Sequence, residues 1–132
     1  MTEQDAEAFL AHMLEGDAVA VERQVAVGLK HTDIVVLWPS SPAPIEAIEV
    51  KLRDWRRAAH QAYLSATYAD RASIALPVAN ASAVDVDYLA ALGVGLILFD
   101  ETGWTRALEP RADRLPASVR AAMMVRIAGI AE

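Results

Sequence analysis

The feature that most constrains the fold is the position of Glu49 and Lys51 in a largely apolar run at residues 45–52, Ile-Glu-Ala-Ile-Glu-Val-Lys-Leu. A run of this length and composition predicts a β-strand. Glu49 and Lys51 lie two residues apart, so both side chains leave the same face of that strand. Val50, between them, points to the other face. Apolar residues on both faces indicate a strand that is covered on each side, where an ion needs a partner or a chemical task.

A second apolar run, Asp-Ile-Val-Val-Leu-Trp, begins at Asp33. If the two strands are neighbours, about 5 Å apart, Asp33 and Glu49 would hold one metal ion between them, with Lys51 beside it. Carboxylate oxygens suit the hard cations Mg²⁺ and Mn²⁺. The alternative is structural: Asp33 is a turn residue, Glu49 pairs with Lys51 or an arginine, and the lysine stem is buried with its head at the surface.

Hydrophobic periodicity along the chain predicts a mixed α/β domain. The connections among the first three strands are too short for a parallel crossover, so these strands should form an antiparallel meander. The last two strands should form an edge hairpin. The predicted helices cover residues 2–15, 54–69, 84–92 and 117–131, and the predicted strands cover 18–27, 33–38, 45–52, 71–76, 94–99 and 104–108, with a turn at 28–32 and a loop at 39–44.

Side-chain types add detail at the element ends. Thr2 and Asp54 are predicted N-caps of the first and second helices. In the first strand, strict alternation predicts that Val21 and Val25 share one face and that Glu22 and Gln24 share the other.

Composition favours one globular domain spanning residues 1–132, because 55% of the residues are hydrophobic and can form a sizeable core. The absence of cysteine excludes disulfides and thiolate metal sites. The acidic N-terminus lacks a signal-peptide pattern, and no apolar run approaches the roughly 18 residues of a membrane span. We therefore expect a cytoplasmic protein without a membrane partner.

Charge is distributed unevenly along the chain. A net charge of −6 counts against a non-specific nucleic-acid coat. Four of the twelve lysines and arginines nevertheless fall within residues 51–57: Lys51, Arg53, Arg56 and Arg57. The three arginines begin a helix, where they oppose the macrodipole, so we expect them to contact backbone phosphates of DNA. The alternative is that they are simply solvated.

These residues resemble the motif of the PD-(D/E)XK phosphodiesterase superfamily, which includes restriction endonucleases, Holliday-junction resolvases and small bacterial DNA-repair nucleases. Asp33 is followed by Glu49-Val50-Lys51 as the E-x-K, on the family's core order of helix, three strands, helix and strand. The resemblance covers residues 2–76, and the chain from residue 84 resembles the hairpin and helix appended in some small members. Thr32 stands where the family has proline.

The resemblance implies a three-layer, restriction-endonuclease-like α/β core with a mixed central sheet (αβββαβ), and a Mg²⁺- or Mn²⁺-dependent endonuclease that hydrolyses DNA phosphodiester bonds. Asp33, Glu49 and the Val50 carbonyl would hold the metal. Lys51 would stabilise negative charge developing on the phosphate.

Two further residues occupy positions that family members use. Gln61, on the second predicted helix, would act as an uncharged donor to phosphate or water, as in resolvase-like members. Glu22 matches an additional acidic position of the DNA-repair members. The ordinary alternatives are an exposed helical glutamine and a solvated strand acid.

Two rival functions share this fold prediction. One is a catalytically inactive nucleic-acid-binding or protein-interaction module, which the acidic net charge favours. The other is a structural subunit of a larger complex. A symmetric homodimer would supply two sites for cutting two strands, and the apolar final helix, with Met123, Met124, Ile127 and Ile130, offers a surface for it. The alternative is that this helix only closes the core.

Overall fold

The first two long helices begin at the side-chain caps that the sequence encodes. Thr2 precedes α1 (Glu3–Leu14), and its hydroxyl accepts a hydrogen bond from the Asp5 N–H while the Asp5 carboxylate accepts one from the Thr2 N–H. Asp54 caps α2 (Trp55–Leu64). These caps satisfy backbone donors that a first helical turn leaves without partners. Both predicted caps are confirmed.

Six strands form one mixed sheet in the spatial order β1 to β6. Strand β2 pairs antiparallel with β1 and with β3, the three central strands β3, β4 and β5 are parallel, and β6 returns antiparallel to β5. The predicted meander and edge hairpin are therefore confirmed. The strands are β1 (Ala20–Val27), β2 (Lys30–Leu37), β3 (Ile45–Val50), β4 (Arg71–Pro77), β5 (Gly95–Asp100) and β6 (Gly103–Leu108). The computed structural model describes residues 1–27, 30–39, 43–113 and 115–128.

Helices cover both faces of the sheet and give a three-layer α/β core. Helix α1 packs on one face, in a cluster that includes Leu10 and Ile34. Helices α2, α3 (Val86–Leu92) and α4 (Ala117–Ala128) pack on the other face. Because the central strands are covered on both sides, β3 is buried along its whole length. The predicted fold class is confirmed.

The ends of several helices and strands differ from the predicted ones, because tertiary contacts determine where these elements stop. Helix α2 ends at Leu64 and continues as a 3₁₀ turn, Ser65–Thr67, so that Tyr68 enters the core and bonds the Thr32 and Ser65 hydroxyls. Strand β2 starts three residues earlier than predicted, and residues 28 and 29 of the predicted turn lie outside the described residues. A 3₁₀ segment, Val78–Ala83, precedes α3 and was not predicted.

The prediction that Val21 and Val25 share one face is wrong. Val21 packs in the cluster on the α1 side, whereas Val25 packs in the cluster on the α4 side. Gln24 lies between them with a φ of 54°, and this left-handed residue reverses the alternation of side chains. The neighbouring strand reverses as well, since Thr32 bonds a side chain of the α4-side cluster and Ile34 lies in the α1-side cluster.

The final helix uses its apolar residues to close the core. Met123 and Ile127 are buried against the sheet, Met124 packs beside them, and Val125 is 46% exposed. Ile130 lies outside the described residues. The homodimer therefore stays a prediction. None of the helices in the described part of the chain combines the length and apolar composition that crossing a bilayer requires.

Candidate active site at the end of strand β3

Asp33 occupies the point where the ladder between β2 and β3 stops. The last pair of that ladder is Ile34 with Ile48, and continuing its register by one residue sets Asp33 opposite Glu49. Instead of a backbone partner, the Val50 N–H donates to the Asp33 Oδ2 at 2.9 Å. The Asp33 carboxylate therefore accepts the hydrogen bond that a backbone carbonyl of β2 would otherwise accept. The prediction that these two strands are neighbours is confirmed.

Glu49 lies beside it and is only 4% exposed. Burial, followed by the negative charge of Asp33, raises the pKa of the Glu49 carboxyl to about 8. A hydrogen bond from the Asp33 backbone and the positive charge of Lys51 oppose that increase, and the charge of Glu7 adds to it. The ionised forms of both carboxylates are thus not fully compensated by their surroundings, which is typical of functional sites, and a cation would favour them.

Lys51 follows directly on β3 and is held by α1. Its backbone N–H donates to the Ala75 carbonyl at 3.1 Å, which extends the parallel pairing with β4. Its ammonium lies 3.7 Å from the Glu3 Oε1 and its side chain is 22% exposed. The other oxygen of Glu3 accepts the Leu52 N–H at 3.2 Å. One carboxylate at the start of α1 therefore restrains both the backbone and the charged head of this segment.

Glu7 is a member of the cluster that the sequence analysis missed. It is 3% exposed, and it accepts hydrogen bonds from the Arg23 Nε at 2.8 Å and the Gln24 Nε2 at 2.6 Å. A signal was present: Glu7 lies three residues before Leu10 and seven before Leu14, on the buried stripe of α1. An acid on an apolar stripe indicates a buried role.

Gln24 was missed as well, and here the sequence carried no signal. A glutamine in an alternating strand predicts an outward side chain, yet the Gln24 Nε2 lies between two carboxylates, 2.6 Å from the Glu7 Oε1 and 3.5 Å from the Asp33 Oδ1. Only its backbone conformation explains this direction, and that conformation depends on tertiary packing.

Gln61 lies on α2, which packs on β3 and β4. Its side-chain Oε1 is buried and has no hydrogen-bond partner among the described residues. No hydrogen bond in that same part of the chain links it to Asp33, Glu49 or Lys51. Gln61 therefore lies on the helix that packs against β3, and its Oε1 could still accept a hydrogen bond.

Glu22 lies apart from the carboxylate cluster. It is exposed on β1 and pairs with Val35, two residues along β2 from Asp33. Across the described ranges, no hydrogen bond or ion pair joins its side chain to Asp33 or Glu49.

The three arginines differ in their surroundings. The Arg56 guanidinium stacks 4.7 Å from the Trp55 ring centroid and 5.1 Å from that of Tyr88. Arg53 and Arg57 are exposed, and neither forms an ion pair with a carboxylate in the described part of the chain. Their charges are available to a ligand, whereas that of Arg56 already contributes to packing.

Arg53 also lines an open groove next to the end of β3. The other lining residues are Leu52, Ala79, Asn80, Ser82 and Ala83. The Asn80 amide donates to the Leu52 carbonyl, which joins the two sides of the groove. The small side chains of Ala79, Ser82 and Ala83 keep one side of the groove open.

The donors at this site fit a hard divalent cation. Asp33 and Glu49 offer carboxylate oxygens and Val50 offers a carbonyl, all of which Mg²⁺ and Mn²⁺ accept. The raised pKa of Glu49 means that its ionised form would gain from a positive charge placed beside it. Within residues 1–27, 30–39, 43–113 and 115–128, no three Asp, Glu or His side chains form a preassembled metal cluster. Substrate or water oxygens would complete the coordination.

Comparisons with known proteins support the fold. No family model matches the chain, and no curated protein matches it. The solved structure of SPO1766 from Silicibacter pomeroyi, a protein of unknown function, is similar with a TM-score of 0.75 and 20% identity, over 98% of this chain and 86% of that one. SfsA from Pyrococcus furiosus, solved in complex with Ca²⁺, has a TM-score of 0.39 and 16% identity over 83% and 61%. That second likeness is too low to carry an argument, and the first shows that the chain shares the fold of SPO1766.

Proposed function

We propose that this protein is a Mg²⁺- or Mn²⁺-dependent nuclease of the PD-(D/E)XK type that hydrolyses phosphodiester bonds in DNA. The observation that carries the proposal is the buried carboxylate of Glu49 next to the half-buried carboxylate of Asp33, beside the ammonium of Lys51. A protein without catalytic function gains little from keeping these groups in an apolar sheet, because burying them costs free energy.

The metal would be held by Asp33, Glu49 and the Val50 carbonyl. When bound, it supplies a Lewis acid that polarises the phosphate and lowers the pKa of an attacking water. Glu49 would bind the metal in its ionised form, after releasing its proton to solvent. Lys51, restrained by Glu3, offers a fixed positive charge to the non-bridging phosphate oxygens.

The groove beside Arg53 would take the DNA backbone on one side of the cut bond. Arg53 and Arg57 would neutralise flanking phosphates, because neither forms an ion pair with a described carboxylate. The rest of the surface is acidic overall, so we expect binding to be local and to weaken steeply with salt.

An inactive binding module is the second candidate function, and one observation favours it. Lys51 already pairs with Glu3, and Glu7 already has two donors, so part of the charge cluster compensates itself. On this proposal the groups would stabilise the start of α1 against the sheet and need no metal.

Conservative variants separate the two candidates. Asp33→Asn keeps an oxygen for the Val50 N–H, and Glu49→Gln keeps the shape of the side chain, so both should fold. We expect each to abolish Mn²⁺ binding in calorimetry and cleavage of plasmid and branched DNA, while Glu101→Gln, at an exposed turn, changes neither. Wild-type protein that binds no Mn²⁺ and cuts no DNA would favour the module.

A further inference from the structure

Gln24 has a backbone conformation that its residue type does not favour. Its φ of 54° makes it the one non-glycine residue with positive φ in the described part of the chain. Left-handed geometry is sterically costly for side chains with a Cβ, and it is found mainly at glycine, asparagine and aspartate. Such outliers persist where the surrounding structure enforces them, and they concentrate at functional sites.

The conformation has a definite consequence for the side chain. Although Gln24 is exposed, its amide reaches the carboxylates, 2.6 Å from the Glu7 Oε1 and at a longer 3.5 Å from the Asp33 Oδ1. The two hydrogens of one NH₂ group suit two acceptors. The ladder pairs on either side, Arg23 with Ile34 and Val25 with Thr32, also set Gln24 opposite Asp33. The strained residue therefore lies directly against a proposed metal ligand.

An amide suits this place better than a cation would. A lysine or arginine at position 24 would neutralise the carboxylates and compete with a metal ion. The neutral amide separates Glu7 from Asp33 and satisfies one oxygen on each, yet leaves the negative charge of the cluster unchanged. The Asp33 Oδ2, on the other side, is occupied by the Val50 N–H.

We propose that Gln24 is a positioning residue, whose amide bridges Glu7 and Asp33 and so fixes the Asp33 carboxylate against the end of β3 for cation binding. The metal-binding part of this inference rests on the proposed function. The fixing of Asp33 does not, because it concerns contacts of the chain itself.

Two substitutions separate the amide from the backbone. Gln24→Gly removes the amide and relieves the backbone, whereas Gln24→Ala removes the amide and keeps the unfavourable φ. We expect Gln24→Gly to melt a few degrees above Gln24→Ala, because only glycine adopts positive φ freely. Gln4→Ala, at an exposed glutamine of α1, is the matched control.

Hydrogen exchange at the Val50 amide tests the fixing of Asp33 without any metal. In both variants we expect this amide to exchange about tenfold faster, because the hydrogen bond that protects it becomes weaker when Asp33 is less firmly held. The Ile48 amide and other core amides should keep their wild-type rates in Gln24→Gly. Unchanged protection at Val50 would overturn the proposal, and an equal loss at all core amides would replace it with a general structural role.

Titration with Mn²⁺ tests the link to the cation. We expect the Mn²⁺ dissociation constant to rise about tenfold in Gln24→Gly and in Gln24→Ala, and to stay constant in Gln4→Ala. Wild-type affinity in both Gln24 variants would overturn the role toward the metal. If the wild-type protein binds no Mn²⁺, the proposed function fails, and exchange at Val50 still decides whether Gln24 positions Asp33.

Discussion

At the scale of single residues, burial and the neighbouring Asp33 carboxylate disfavour the ionised form of Glu49 at the end of β3. Glu49 has a pKa of about 8 in the folded protein and an ordinary value near 4.5 without its surroundings. The folded state therefore binds more protons than the unfolded state between these two pH values. Stability from this group is fully present below pH 4.5 and is lost as the pH rises through 8.

Glu49→Gln should remove this pH dependence. At pH 8.5 we expect the variant to exceed wild type in free energy of unfolding by about 1–3 kcal/mol, because it no longer buries a charge. At pH 5 the two proteins should differ little. Urea denaturation at both pH values, without divalent ions, measures the difference. Parallel pH profiles for the two proteins would show that Glu49 is ionised at little cost.

Lys51 should matter for rate more than for stability. Lys51→Met keeps most of the apolar stem and removes the charge, so we expect kcat to fall by about 10²–10³-fold. Its ion pair with Glu3 is partly exposed, so its loss should cost less than about 1 kcal/mol. Single-turnover cleavage and thermal melting give the two numbers. If Lys51→Met unfolds and the wild-type protein cleaves no DNA, the lysine has a structural role.

At the scale of elements, short connections and caps could be predicted because they depend on local chemistry. The meander that brings Asp33 to Glu49 follows from loops too short for a crossover, and Asp54 places Arg56 and Arg57 in the first turn of α2. Glu7 enters the cluster because α1 crosses the sheet at this point, and the reversal at Gln24 arises from packing on two faces. The contact of Glu7 with the cluster and the reversal at Gln24 both depend on residues that are distant in sequence, so local sequence patterns do not predict them.

The basic segment at the start of α2, Arg53 with Arg56 and Arg57, should bind DNA through some of its arginines and not others. We expect Arg53→Ala to weaken DNA binding and to lower the slope of log affinity against log salt by about one unit. Arg56→Ala should leave that slope nearly unchanged and should reduce stability by about 0.5–1 kcal/mol, because its guanidinium stacks on Trp55 and Tyr88. Fluorescence anisotropy across a salt series compares the two. Equal slopes in both variants would place the DNA elsewhere.

At the scale of the whole molecule, one helical layer and three strands of the sheet contribute to the cluster. Helix α1 supplies Glu3 and Glu7 from one side, strands β1 and β2 supply Gln24 and Asp33, and β3 supplies Glu49 and the segment that leads to Lys51. The fold alone, shared with SPO1766, does not specify a reaction. The function proposed for this chain rests on the cluster that the fold assembles.

The most direct test of the metal site is a crystal soaked in Mn²⁺ and measured near the manganese absorption edge. The account predicts an anomalous peak between the Asp33 and Glu49 carboxylates, next to the Val50 carbonyl, which disappears in Glu49→Gln. A soaked wild-type crystal with manganese bound elsewhere, and with Glu49 and Asp33 unchanged around an empty gap, would contradict it.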